Sequence, residues 1–144
     1  MVFDSHHLKL IKQFNLGFFL QAELLDDLLL LLDMDNDNII FMDLKKNSHT
    51  KMRYPKSMRS MFFLNKHTLL VGCDRGKILV INIKNRNVEQ ELQIGSAKSI
   101  YKIERTLNKN EFSLNTFDGV TFAKILQVRQ SYYEIETVSE ITFA

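Results

Sequence analysis

The residues best placed to do chemistry fall in three groups. Asp33, Asp35 and Asp37 alternate with Met34 and Asn36, then run into Asn38, Ile39 and Ile40. Carboxylates at alternate positions with an apolar residue eighth resemble a calcium loop, but its twelfth position, which should bring a bidentate carboxylate, is Leu44. The alternative is a solvated hairpin turn, since Asn and Asp favour such turns. Lys45, Lys46, Lys51, Arg53, Lys56 and Arg59 form a basic stretch with no acid from Leu44 through Leu70, and Tyr54 and His49 lie within it. Such a stretch could meet a polyanion or an acidic partner. Equally, lysines could guard an exposed strand edge. The four histidines, His6, His7, His49 and His67, lack zincin spacing, and the single cysteine, Cys73, cannot build a cysteine-clustered metal site. There is no Gly-rich phosphate loop, no Gly-x-Ser-x-Gly elbow and no kinase signature. Neither a cofactor nor a catalytic set is implied, and no enzyme is expected.

Composition narrows the setting. The chain has 144 residues, 45% of them hydrophobic and 25% charged, with a formal net charge of +2. That is one domain's length, enough to bury a core, and too little charge to pull the whole chain toward nucleic acid. The longest apolar run, Leu28 to Leu32, is far short of a bilayer span. The stretch from Met1 to His7 lacks the basic start and apolar run of a secretory signal. An intracellular, cytoplasmic protein is expected.

The elements that must position these residues read as strands. Apolar runs of four to eight residues recur, rich in Ile, Val, Phe and Leu, with polar turns between them. Thr68–Cys73 and Lys77–Ile83 flank Asp74-Arg75-Gly76, where Gly76 can take positive φ at little cost. Glu111–Phe117 and Val120–Ile125 flank Asp118-Gly119, a strong hairpin signal. Leu28–Asp33 and Ile39–Leu44 flank the Asp/Asn run.

These hairpins repeat. Asp37, Gly76 and Gly119 occupy one slot, spaced by 39 and 43 residues, and six residues later stand Asp43, Asn82 and Ile125. Counting back 39 residues from Asp43 reaches Asp4. A strand precedes each hairpin, at Phe18–Leu24, Met58–Leu64 and Ile100–Leu107. Another follows, at Lys51–Tyr54, Val88–Ile94 and Tyr132–Val138. A period near 40 with four strands is the mark of a β-propeller blade. The predicted class is therefore all-β, with antiparallel four-stranded blades in an incomplete ring. Residues 1–17 make half a blade, 18–55, 56–95 and 96–138 make three, and 139–144 open a further strand. Lys9–Leu16 could be drawn as an amphipathic helix, but the repeat phase makes Leu8–Phe14 a fourth strand. An antiparallel sandwich with coincidental spacing is the competing architecture.

The stretch from Leu69 to Ile83 resembles the strand–turn–strand core of the WD-repeat propellers, and Val2–Phe14 is similar to that family's passage into the outer strand. The resemblance extends over nearly the whole chain as a degenerate pattern. Phe3, Met42, Ile81 and Lys124 stand where the family has Trp, and Asp4, Asp43, Asn82 and Ile125 where it has the following Asp. The turn-aspartate slot holds Asn36, Arg75 and Asp118. The resemblance implies a non-catalytic scaffold for protein–protein contacts, with partners docking on turns such as Asp26-Asp27, Asn65-Lys66, Asp74-Arg75 and Asp118. Asp4, Asp43, Gly76, Asn82, Asp118 and Gly119 would be its structural positions. Another copy or another subunit would complete the ring. The alternative function is a polyanion-binding module using Lys45 to Arg59.

Overall fold

The computed structural model describes residues 21–33, 37–54, 57–95 and 98–143. The chain divides into two compact units, Met1–Pro55 and Lys56–Ala144.

The first unit holds one antiparallel sheet of β1 (Gln21–Leu25), β2 (Leu28–Asp33), β3 (Asn38–Asp43) and β4 (Ser48–Arg53), in that order. Five consecutive leucines would also suit a helix. Here the run is cut to six residues by the Asp26-Asp27 turn, with Asp26 at φ 51°. Leu29, Leu31, Ile40 and Met42 form one cluster, joined by Ala22, Leu24 and Leu44. The alternate residues Leu30, Leu32, Ile39 and Phe41 are buried as well. Strands covered on both faces read as unbroken apolar runs, as β2 and β3 do. Each such side chain withdrawn from water stabilises the fold by about 1.5–3 kcal/mol.

The second unit holds two sheets. β5 (Met58–Asn65), β6 (Thr68–Cys73), β7 (Lys77–Asn82) and β8 (Asn87–Gln93) form one. β9 (Lys102–Arg105), β10 (Glu111–Thr116), β11 (Gly119–Arg129) and β12 (Tyr132–Thr142) form the other. Both are simple meanders with every neighbouring pair antiparallel.

The two sheets stack like on like: β5 meets β9, and β8 meets β12. Between them lies a core of Leu70, Ile78, Val80, Leu92, Phe112 and Leu114, among others. Phe62 and Phe112 meet edge to face at 5.8 Å, and the Arg105 guanidinium covers both rings at 5.6 and 5.2 Å. Two chemically similar sheets, each too thin to hide its own apolar faces, bury them by stacking.

Two expectations change. Ser139–Thr142 do not open a further unit; they continue β12, pairing back to Gly119 on β11. β11 itself runs on past Ile125 to Arg129. The predicted strand Leu8–Phe14, the first residues of Phe18–Leu24 and the slot at Asp4 lie outside the described residues.

Candidate functional site

The basic stretch is held by two different units. Lys45 and Lys46 occupy the β3–β4 turn, and their amides both donate to Asp43 Oδ1, at 3.1 and 3.0 Å. β4 is an end strand of its sheet and is exposed along nearly all its length. His49, Lys51 and Arg53 alternate along it, opposite Met42, Ile40 and Asn38, so all three project from one face. Among the described residues, no acidic side chain pairs with Lys45, Lys46, Lys51 or Arg53. Lys56 lies outside the described residues.

Arg59 belongs to the second unit and is spoken for. Its Nε and Nη2 donate to the two carboxylate oxygens of Asp74, at 3.0 and 3.2 Å. Ser99 Oγ also donates to Asp74. The Arg59 hydrogen bonds lead in holding the Asp74 carboxyl below the usual range, against some opposing desolvation. The bidentate pair spans from β5 to the β6–β7 turn, and Ser99 precedes β9, so one carboxylate ties three segments together.

The slot positions divide by chemistry. Asp43 and Asn82 do the same work in two sheets: Asn82 Oδ1 accepts the amides of Lys84 and Asn85, at 2.9 and 3.2 Å. A short side-chain acceptor at the end of a strand turns the chain at once. Ile125 has no acceptor, and there the strand continues. Gly76 takes φ 70°, following Arg75 at φ 61°, as a tight turn between right-twisted strands requires. Asp37, in the same slot, takes φ 51°. Gly119 serves differently: a Cβ there would run into the carbonyl oxygen of Ile141 on β12. Asp118 accepts from Lys98 Nζ at 2.6 Å, which leads in lowering its carboxyl from the ordinary value.

Asp33 is buried at the end of β2, Asp37 sits in the turn, and Asp35 is outside the described residues. Among the described residues no group of three or more His, Cys, Asp or Glu could hold a metal. Cys73 is a buried free thiol. Asn65, which ends β5, and His67, in the β5–β6 turn, are both exposed, with the His67 amide bonded to Asn65 Oδ1 at 2.8 Å.

Sequence reasoning missed one feature. The overreaching β11–β12 hairpin faces the turns of the β5–β8 sheet across a polar cleft of about 370 Å³. The signal was present at Ile125, the one slot residue among Asp43, Asn82 and Ile125 that cannot close a turn.

No protein-family model matches the chain, and no curated protein matches its sequence. Among solved structures, it is similar to the β-propeller domain of Cps50 (Swd1) from Myceliophteria thermophila, with a TM-score of 0.67 at 14% identity. The fold is that of a partial β-propeller. The superposition covers 84% of this chain but 44% of that one, so the chain spans less than half of that propeller. Among the described residues, three four-stranded sheets are blades, fewer than the roughly four to eight of a closed propeller. At this identity the likeness speaks for the fold alone. No helix among the described residues is long and apolar enough to cross a membrane.

Proposed function

We propose that the chain is a non-catalytic protein–protein interaction scaffold, a segment or subunit of a WD-repeat-like propeller. One observation carries this reading. Among the described residues, the exposed large apolar side chains all lie between Tyr101 and Phe143, in or beside the third blade. Leu126, Val128, Val138, Ile141 and Phe143 belong to its outer hairpin or directly follow it. Val120 and Ile141 sit opposite each other across that hairpin. Exposed apolar side chains concentrated on one blade are what a partner or a second copy covers. Light scattering over a concentration series tests it. The chain should associate, and Leu126→Glu with Ile141→Glu should abolish the association. A monodisperse monomer that melts cooperatively at every concentration would overturn the reading.

A second reading rests on the single-faced row of His49, Lys51 and Arg53. It is a polyanion-binding strip, whose affinity should fall steeply with salt. Reversing the charge of Lys51, Arg53 and Lys56 should remove heparin binding. Unchanged binding would end that reading.

A further inference from the structure

The β11–β12 hairpin reaches past the sheet that carries it. β10 pairs with β11 from Gly119 to Lys124, and the Ile125 amide then donates to the Asn110 carbonyl at 3.0 Å. β11 continues to Arg129 and reverses through Gln130 and Ser131, the latter at φ 61°. Ala123, Ile125 and Tyr133 face the core; Gln127, two residues on from Ile125 and opposite Tyr133, continues that face beyond it. Gln127, Gln130 and Ser131 form one wall of the cleft. His67, Lys84 and Glu89, from the opposing blade, form the other.

The floor is built. Thr68 Oγ1 and the Tyr133 hydroxyl lie 3.3 Å apart. The Gln90 carboxamide grips the Tyr133 main chain at both ends, donating to its carbonyl at 2.5 Å and accepting from its amide at 2.8 Å.

We propose that this cleft binds an extended peptide segment of a partner protein, one carrying a carboxylate side chain. The inference rests on the scaffold reading and assigns it a site and a class of partner. Three features converge. The main-chain bonding row that includes Ile125 continues at Gln127, where no strand lies opposite on the β10 side among the described residues. An extended peptide can add to such an edge. Gln127 and Gln130 present carboxamides, and Gln90 already shows in this molecule how a carboxamide satisfies both polar groups of a main chain. Lys84 and His67 supply cationic or donor groups for a carboxylate, while Glu89 can accept a peptide N–H.

The test uses the full chain and a displayed library of short random peptides. Enriched peptides should carry Asp or Glu, and Lys84→Glu should weaken them by about tenfold or more. The pair Gln127→Ala and Gln130→Ala should do the same. All three side chains are exposed, so an unchanged melting temperature confirms that the variants fold. Amide shifts on binding should centre on Lys84, Gln127 and Ser131. Peptides that bind these variants undiminished would overturn the cleft while leaving the scaffold reading standing. Failure to enrich any peptide would also overturn the cleft, and the scaffold reading would then stand or fall on its own association test.

Discussion

Arg59 and Asp74 form a two-bond ion pair across 15 residues of sequence, joining the first strand of one blade to the turn of its central hairpin. The pair withdraws one cation from a stretch that otherwise reads as a single basic surface. It also makes that turn sensitive to acid.

The Asp74 carboxyl is held below its ordinary value first by the Arg59 hydrogen bonds, and Asp118 and Glu111 are lowered too. For Glu111 the leading cause is the hydroxyl of Thr106, followed by Asn108. A carboxyl lowered on folding contributes stability that is complete above its unfolded value, about pH 4, and is lost as pH falls through the folded value. The melting temperature should therefore hold steady near neutrality and drop below about pH 4. Asp74→Asn should flatten part of that drop. Thermal melts across a pH series would show it, and an unaltered profile in Asp74→Asn would contradict the role of the pair. Arg59→Ala should cost about 1 kcal/mol near neutrality, since the pair is partly solvated.

Gly119 is required by contact, not by a left-handed backbone. Gly119→Ala should force β11 from β12 at Ile141 and cost about 1–3 kcal/mol in chemical denaturation. Gly95→Ala is the matched control, because a Cβ there meets nothing within 4 Å. Equal effects at both positions would refute the close-approach argument.

Asn82 and Asp43 stop their strands with a side-chain oxygen. Asn82→Ala should lose about 1 kcal/mol, whereas Asn82→Asp keeps the acceptor and should stay within a few tenths of the original. Urea unfolding of the two variants separates the hydrogen bond from any effect of side-chain size.

Gln90 bonds the main chain of a residue 43 positions away. Gln90→Leu should expose the Tyr133 amide, accelerating its hydrogen exchange, and lower stability by about 1–2 kcal/mol. Exchange confined to its original rate would mean that the outer strands are held together by other contacts.

Much of this architecture was legible along the chain. Unbroken apolar runs such as Leu28–Leu32 and Leu69–Val71 declare strands covered on both faces, and Asp43 and Asn82 mark where strands must end. These are local matters: alternation of side chains, left-handed turn positions and nearby acceptors act within a few residues, so their spacing can be counted without coordinates. Three further outcomes needed the tertiary structure. Arg59 turned inward to Asp74, Gly119 was selected by Ile141, and Ile125 let β11 overrun into a cleft wall. Each depends on which distant segment arrives opposite, and the stacking of whole blades sets that. Charge, glycine and the lack of a turn acceptor were visible in the sequence; the partners that gave them their roles were brought near only by the fold.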